Sequence, residues 1–226
     1  MNDDADHGGG FASPPCFAHE LKEGADGFAV VDRQTAIDVG RWRKARREEL
    51  IAARLATPVA ERERVAAEIG SALDAMIDFD AGPVIALYWP FKGELDLRGW
   101  MQAAIESGAR IALPIVVAKA QPLIFREWTP ESKLARGVWN IPVPADGAEL
   151  APDIVISPVV GFDPGCFRLG YGGGFYDRTL AAAAVRPKVI GVGLASAALP
   201  TIFPLPHDVP MDLILTGAGE VLTRKK

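Results

Sequence analysis

Apolar residues recur at helical spacing between residues 41 and 77. Residues 41–55 contain no Gly or Pro, which predicts an uninterrupted helix. Thr57 and Pro58 then supply a capping side chain and a first-turn proline, a usual start of a new helix. The second helix is predicted from an apolar stripe of Val65, Ile69, Ala72, Leu73, Met76 and Ile77.

From residue 84 onward, short apolar runs alternate with segments of helical spacing. Strands are predicted at residues 84–89, 110–117, 123–128, 153–160, 188–194 and 213–216, and helices at 97–105 and from about Phe175. Strands that alternate with helices are typical of an α/β fold. Hairpin-like pieces between them indicate a mixed, mostly parallel sheet.

Residues 1–38 differ from the rest of the chain in composition and in their lack of periodicity. They combine Asp, Gly, Pro and Ala without periodicity, so we expect a flexible appendage to a single domain over residues 39–226. Cys16 and His19 have a spacing that suits a metal ion, and His7 lies upstream. Two or three ligands in a flexible segment make a poor closed metal site, so we favour a short turn packed on the domain.

Composition narrows the classes of protein. The chain has 226 residues, of which 49% are hydrophobic and 23% charged, enough for a sizeable core. It has no run of 18 apolar residues, so we expect no membrane span, and its acidic, Gly-rich N-terminus does not resemble a signal peptide. Cys16 and Cys166 alone cannot form a disulfide framework, which favours a cytoplasmic location.

The net charge of −5 is concentrated near the N-terminus. Residues 1–38 hold eight acidic and two basic residues, so the remainder of the chain is close to neutral. A balanced surface argues against general nucleic-acid binding, and any site for a polyanion must be local.

One local candidate is the Gly-rich segment RLGYGGGFYDR at residues 168–178. It follows a predicted buried strand and opens a predicted helix, where ligands bind in α/β sheets. Four glycines within five positions allow backbone N–H groups to converge on phosphate oxygens, and the helix N-terminus favours the same anion. Arg168 adds a fixed cation, and Asp177 in the first helical turn can hold a Mg²⁺ that rides on the phosphates.

The segment matches neither common nucleotide fingerprint. Phe175 stands where a dinucleotide-binding motif has its third glycine, and no Gly-Lys-Ser/Thr sequence occurs in the chain. A Gly-rich turn that binds nothing is the alternative interpretation. The flanking Arg168 and Asp177 favour phosphate binding over that alternative.

Residues 168–178 also closely resemble the signature of the 5-formyltetrahydrofolate cyclo-ligase family, whose members are also called methenyltetrahydrofolate synthetases. Three further pieces follow the family's order, at residues 93–96, 139–142 and 207–212. The resemblance covers roughly residues 40–217. It implies a three-layer α/β/α sandwich and a monomeric, cytoplasmic enzyme whose partners are small molecules.

The family resemblance implies an ATP- and Mg²⁺-dependent ring closure. Members convert 5-formyltetrahydrofolate to 5,10-methenyltetrahydrofolate and release ADP and phosphate. A formamide oxygen is a poor leaving group, so ATP phosphorylates it before the neighbouring folate nitrogen attacks the activated carbon. Alignment of the reactants and neutralisation of charge are the main demands of such chemistry.

The resemblance further implies roles for single residues. The implied ATP-binding residues are Arg43, Arg47, Arg168, Gly170, Tyr171, Gly172, Gly173, Gly174, Phe175 and Tyr176. Arg168 and Tyr176 also take the catalytic role, and Asp177 and Asp208 are the implied Mg²⁺ ligands. The implied folate-binding residues are Trp89, Glu94, Trp139 and Tyr176. The family usually has Lys where this chain has Arg43, which keeps the cation but changes its shape and reach.

Simpler structural roles stay open for several of these residues. Trp89 and Trp139 suit core packing, Glu94 a surface acid before a helix, Asp208 a turn, and Arg43 a solvated basic face.

Two other functions also stay open. Arg43 in place of Lys is compatible with a ligase that acts on another amide-like metabolite. A non-catalytic folate- or nucleotide-binding paralogue would keep the pocket but need not keep Arg168, Glu94, Asp177 and Asp208. The chain has no Gly-x-Ser-x-Gly elbow and no His-Glu-x-x-His motif, so other enzyme classes lack support.

Overall fold

The computed structural model describes residues 33–217 and 219–224. Cys16, His19 and most of the proposed appendage lie outside the described residues. The helices are α1 (Arg33–Ala56), α2 (Val59–Asp74), α3 (Arg98–Glu106) and α4 (Phe175–Ala182). No helix within the described residues is long and apolar enough to cross a membrane.

All the strands of the described residues lie after α2. They are β1 (Val84–Ala86), β2 (Arg110–Val116), β3 (Leu123–Trp128), β4 (Leu134–Arg136), β5 (Pro142–Pro144), β6 (Ile154–Pro158), β7 (Gly161–Phe162), β8 (Arg168–Leu169), β9 (Lys188–Val192), β10 (Leu213–Leu215) and β11 (Val221–Thr223). Every strand and helix expected from the sequence is present, and β4, β5, β7, β8 and β11 are additional.

A seven-stranded sheet forms the centre of the molecule, in the order β11-β10-β9-β6-β1-β2-β3. The five inner strands pair in parallel. The two edge strands, β3 and β11, run antiparallel to their neighbours. The prediction of a mixed, mostly parallel sheet is therefore confirmed. Two separate antiparallel hairpins, β4–β5 and β7–β8, lie outside this sheet.

Alternating residues on the inner strands cover the two faces of the sheet. Ile85, Ile111, Ile156 and Ile190 share a core with residues of α2 and α3. Ala86, Ala112 and Val155 share another core with residues of α4. Helices thus cover both faces, which confirms the three-layer α/β/α arrangement.

Helix α1 differs most from its predicted start at residue 41. It spans Arg33–Ala56, so residues 33–38 of the proposed appendage are helical. Gly40 lies inside the helix, a position where glycine is unfavourable. Tertiary contacts compensate, because Val39 is buried and the Trp42 ring packs edge-on against Phe203 at 4.9 Å.

Two central strands end earlier than their apolar runs predict. β1 ends at Ala86 and β6 at Pro158, although the apolar residues continue to positions 89 and 160. Tyr88 and Val160 stay buried after the strands end. Tyr88 lines a cavity, whereas the Val160 N–H donates to the Leu169 carbonyl oxygen of β8 at 2.9 Å, so both residues are buried by contacts outside the central sheet that periodicity alone does not distinguish.

The chain reverses its direction across the sheet between β1 and β6. From β1 it proceeds outward to β2 and β3, whereas from β6 it proceeds the other way to β9 and β10. In open α/β sheets, ligands bind beyond the carboxyl ends of the strands at such a switch point.

Candidate active site

A cavity of about 240 Å³ lies at this switch point. Its walls come from the segments that follow β1 and β6, from the end of β2, from one face of α1 and from the hairpin β4–β5. All the residues predicted for the site line it: Arg43, Arg47, Trp89, Glu94, Trp139, Arg168, residues 170–176, Asp177 and Asp208. The structure therefore brings together residues that lie far apart in the sequence.

Helix α1 directs three arginines toward the segments around this cavity. Arg43, Arg47 and Arg54 share one helical face, as their spacing predicts. The Nε atom of Arg47 donates to the carbonyl oxygen of Gly170 at 2.5 Å. Burial and the nearby Arg43 lower the pKa of Arg47. Two neighbouring, partly desolvated cations are suited to a polyanionic ligand.

Arg43 is fixed rather than solvated. Its Nη1 and Nη2 atoms donate to the two carboxylate oxygens of Asp208, at 3.2 and 2.6 Å. Its Nε and Nη2 atoms also donate to the carbonyl oxygens of Ile202 and Phe203, at 2.9 and 2.7 Å. The side chains of Arg43 and Asp208 are only 12% and 9% exposed.

The Gly-rich loop needs glycine at two of its positions. Gly172 has φ +90° and Gly174 has φ +62°, conformations that strain residues with a Cβ atom. A Cβ atom at Gly172 would lie 3.3 Å from the guanidinium of Arg47. The absent side chain therefore allows Arg47 to approach the loop, which leads directly into α4.

Arg168 and Asp177 form a buried ion pair at the base of the loop. Arg168 Nη2 lies 2.6 Å from Asp177 Oδ1, and their side chains are 4% and 19% exposed. Arg168 Nη1 donates to the Val209 carbonyl oxygen at 3.2 Å, and the Val209 N–H donates to Asp177 Oδ1 at 3.1 Å. Burial lowers the pKa of Arg168, whereas Asp177 opposes this effect. The guanidinium is thus held in one orientation at the cavity wall.

The two implied Mg²⁺ ligands fit a metal ion to different degrees. Within the described residues, no group of three or more His, Cys, Asp or Glu side chains could hold a metal ion alone. Asp177 Oδ2 accepts no hydrogen bond from any described residue, so Asp177 fits a Mg²⁺ whose other ligands are phosphate and water oxygens. Asp208 is less available, because Arg43 and the Leu205 N–H occupy both of its oxygens.

Glu94 also lines the cavity and is buried, with 8% exposure. Its Oε2 atom accepts the Phe91 N–H at 2.9 Å, and its Oε1 atom accepts the Tyr171 hydroxyl at 3.1 Å. Burial raises the pKa of Glu94 to about 7, although Arg54 and these hydrogen bonds lower it. Glu94 is therefore not the solvated surface acid that the sequence left as an alternative.

Aromatic rings line the cavity near Glu94. The Phe91 and Trp139 rings are nearly parallel, with 6.4 Å between their centroids and 9° between their planes. The Tyr171 ring lies 5.8 Å from Phe91 and 6.0 Å from Trp139. Trp139 is 51% exposed and has φ +56°, so it is not a core residue. Such a wall is suited to a flat heterocycle.

Trp89 and Tyr176 occupy the remaining wall. Trp89 packs edge-on against Trp128 at 6.3 Å and beneath Arg98 at 5.1 Å, so it serves both the cavity and the core. The Arg168 guanidinium lies 5.5 Å from the Tyr176 ring. Burial raises the pKa of Tyr176, so its phenol stays protonated and can act as a hydrogen-bond donor but not as a base.

Several residues in or beside the site were not predicted as members of it, and Arg54 and Phe91 are the two that contact predicted members most directly. Arg54 is buried and donates to the Tyr171 hydroxyl at 2.5 Å. Its signal was its place on the arginine face of α1. Phe91 lines the cavity shortly after β1 and stacks with Trp139. A lone aromatic residue in a loop carries no comparable signal.

Comparison with known proteins shows the chain's relatives. A model of the 5-formyltetrahydrofolate cyclo-ligase family matches residues 39–217. The 5-formyltetrahydrofolate cyclo-ligase of Mycolicibacterium smegmatis is 33% identical over 144 residues, which are 60% of this chain and 74% of that protein. The protein of the same name from Escherichia coli K12 is 37% identical over 102 residues, which are 42% of this chain and 56% of that protein.

Solved structures agree with this relationship. The NMR structure of Aquifex aeolicus 5,10-methenyltetrahydrofolate synthetase superposes with a TM-score of 0.70 at 26% identity, and the match covers 81% of this chain and 93% of that one. A 5,10-methenyltetrahydrofolate synthetase from Mycoplasma pneumoniae shares the fold with a TM-score of 0.64 at 24% identity, over 76% of this chain and 97% of that one.

Proposed function

Because the chain belongs to the 5-formyltetrahydrofolate cyclo-ligase family, we propose that it converts 5-formyltetrahydrofolate to 5,10-methenyltetrahydrofolate. ATP is the second substrate, and ADP and phosphate are released. The observation that carries the proposal is the lining of one cavity. It combines Arg43, Arg47 and Arg168 with a Gly-rich loop, which we take as the cationic end, and the buried Glu94 with an aromatic wall, which we take as the folate end.

The reaction proceeds in two steps. The formyl oxygen attacks the γ-phosphorus of ATP, and the bond from that phosphorus to ADP breaks. The N10 atom of the folate then attacks the formyl carbon, its proton goes to solvent, and the carbon–oxygen bond breaks to release phosphate. Neither step needs a protein nucleophile, so the protein contributes orientation and charge neutralisation.

The cationic end holds the triphosphate. Arg47 and Arg168 supply guanidinium groups that are already fixed by hydrogen bonds to the protein, so little ordering is required when phosphate binds. Backbone N–H groups of the Gly-rich loop and of the first turn of α4 add neutral donors. A Mg²⁺ bound with the nucleotide, held by Asp177 and with Asp208 nearby, would supply further neutralisation of the transferred charge.

The other end holds the folate. The Phe91 and Trp139 rings pack against its flat ring system, and the Glu94 carboxylate accepts hydrogen bonds from ring N–H groups. Tyr176 lies beside Arg168, where the two ends meet, and its protonated hydroxyl donates to the oxygen that becomes charged during transfer.

The activity is tested by mixing the purified chain with 5-formyltetrahydrofolate, ATP and Mg²⁺ while the absorbance of the methenyl product is followed. We expect product formation that requires both ATP and Mg²⁺. Folded protein that binds both ligands without forming product would instead be the non-catalytic paralogue. Folded protein that binds ATP but not 5-formyltetrahydrofolate would favour a ligase for another amide-like metabolite.

We also infer that the protein acts as a monomer in the cytoplasm and that its partners are the reduced folate and ATP. The small number of cysteines supports this compartment. The near-neutral charge outside residues 1–38 supports small-molecule ligands rather than nucleic acid.

A further inference from the structure

A chain of hydrogen bonds joins helix α1 to Glu94 through the Gly-rich loop. Arg54 Nη2 donates to the Tyr171 hydroxyl at 2.5 Å, and that hydroxyl donates to Glu94 Oε1 at 3.1 Å. Arg54 Nη1 lies 4.0 Å from the same carboxylate oxygen. Three separate segments of the chain therefore meet at one buried acid.

We propose that Arg54 and the Tyr171 hydroxyl are positioning groups for Glu94, and that they couple the Gly-rich loop to the folate end of the cavity. The inference rests on the proposed function, because it takes Glu94 as the carboxylate that holds the folate. Arg54 is not among the described residues that line the cavity, so it acts through Glu94 and Tyr171.

Backbone carbonyl groups hold Arg54 in place. Its Nε atom donates to the Lys92 carbonyl oxygen at 3.0 Å, and its Nη1 atom donates to that of Val159 at 3.4 Å. Lys92 follows β1 and Val159 follows β6, so the guanidinium bridges the two strands of the switch point. Such a clamp leaves the Nη2 atom in a fixed position for the Tyr171 hydroxyl.

The Tyr171 hydroxyl sets the orientation of the Glu94 carboxylate. The Phe91 N–H binds Oε2 and the Tyr171 hydroxyl binds Oε1, so each oxygen has a directional partner. Because Glu94 also lines the cavity, its remaining lone pairs are available to a ligand.

Among the described residues, Arg54 is the cation that acts on Glu94. The other ionisable groups in that part of the chain that interact with this carboxylate are the phenols of Tyr88, Tyr171 and Tyr176. Burial raises the pKa of each phenol, so all three are neutral near pH 7. Loss of the Tyr171 hydroxyl or of the Arg54 charge therefore removes support for the ionised form of Glu94.

The test uses Tyr171→Phe, which removes one oxygen atom and keeps the ring between Phe91 and Trp139. The titration of Glu94 is followed by ¹³C NMR of glutamate-labelled protein, with Glu94→Gln to assign the signal. We expect Tyr171→Phe to raise the Glu94 midpoint by about one pH unit, as expected for the loss of one hydrogen bond to a charged group. The folate KM near pH 7 should rise with it, whereas the ATP KM should change less.

Arg54→Gln provides the second arm. It should raise the Glu94 midpoint further, and the effect of Tyr171→Phe should be smaller in the Arg54→Gln background, because the two groups act in one chain. Tyr88→Phe is the matched control. It removes a buried hydroxyl that donates to the Leu95 carbonyl oxygen at 2.8 Å rather than to Glu94, so the Glu94 midpoint should stay in place.

An unchanged Glu94 midpoint in folded Tyr171→Phe would overturn the inference, even if the wild-type protein forms the methenyl product. A shifted midpoint in a protein that forms no product would support the hydrogen-bond chain and contradict the proposed function. Thermal unfolding of each variant identifies a loss of folding, and Tyr171→Phe alone decides the matter if Arg54→Gln does not fold.

Discussion

The guanidinium of Arg43 holds both carboxylate oxygens of Asp208. A cation expected to face phosphate and an acid expected to face Mg²⁺ therefore neutralise each other. Under the proposed function, binding of ATP with Mg²⁺ would be an exchange, in which phosphate replaces Asp208 at Arg43 and the metal ion replaces Arg43 at Asp208.

Asp208→Asn tests this exchange. We expect ATP to bind about tenfold more tightly in the absence of Mg²⁺, because Arg43 no longer has a charged partner within the protein. The stimulation of activity by Mg²⁺ should shrink in the same variant. Calorimetric titration with ATP, with and without Mg²⁺, measures both effects. Asp212→Asn is a suitable control, since Asp212 pairs with Arg186 and does not line the cavity. Unchanged metal-free affinity in Asp208→Asn would show that Arg43 does not face phosphate.

Arg168→Lys should raise the ATP KM by about tenfold, with a smaller effect on the folate KM. Lysine keeps the charge, but an ammonium group cannot bind Asp177, the Val209 carbonyl oxygen and a phosphate with the fixed geometry of guanidinium. Arg168→Ala is less informative, because an unpaired, largely buried Asp177 is expected to destabilise the fold by about 3–5 kcal/mol. Steady-state kinetics with each substrate varied separately measure the effect. A normal ATP KM in Arg168→Lys would indicate that the triphosphate does not contact this residue.

Glu94 should make the folded protein less stable as the pH rises toward neutrality. Burial raises its pKa to about 7 from an ordinary value of 4.5. Between these values the folded protein keeps a proton that the unfolded chain releases, so the contribution of Glu94 to the free energy of unfolding falls as pH increases. This contribution is constant below about pH 4.5 and again above about pH 7.

Glu94→Gln should remove that slope. Urea unfolding at several pH values between 4.5 and 8 measures the free energy of unfolding of both proteins. The free energy of the variant relative to that of the wild type should increase with pH up to about pH 7. Asp96 and Glu127 have pKa values lowered by their arginine partners, so their contributions change at more acidic pH. Parallel curves for the two proteins would mean that Glu94 titrates normally.

Trp139 and Asn140 should separate ligand binding from stability. Both have a positive φ, 56° and 62°, which costs about 1–2 kcal/mol for residues other than glycine. Trp139→Gly should relieve that strain but lose the ring that stacks on Phe91, so the folate KM should rise by an order of magnitude. Asn140→Gly should relieve less strain, because asparagine tolerates the left-handed region better than tryptophan does. It should leave the folate KM unaltered, because Asn140 does not line the cavity.

Thermal unfolding and folate kinetics of both variants make the comparison. A folate KM that rises equally in the two would indicate that the hairpin turn, rather than the Trp139 ring, forms the binding surface.

The sequence predicted the fold and the members of the site better than their partners. Local chemistry marked the Gly-rich loop with its Arg168 and Asp177, and short apolar runs marked the inner strands. The pair of Arg43 and Asp208 was beyond such reasoning, because 165 positions separate the two residues and neither local pattern identifies the other. Each was therefore assigned to a ligand rather than to its partner.

The additional hairpin β4–β5 escaped prediction for a different reason. Its strands, Leu134–Arg136 and Pro142–Pro144, are three residues each, one is fully exposed and the other contains two prolines. Neither alternates between apolar and polar residues. The hairpin instead places Trp139 against Phe91 and Tyr171, a set of contacts between distant segments that no single window of sequence contains.

Helix α1 also limits where insertions and deletions can occur in related chains. Arg54 lies eleven positions after Arg43 in the helix, a rise of about 16 Å, and each arginine contacts a different segment. One inserted or deleted residue between positions 47 and 54 would rotate Arg54 by about 100° and turn it away from Tyr171. Insertions and deletions in related chains should therefore be absent from that stretch, whereas the exposed strand β4 can accept them.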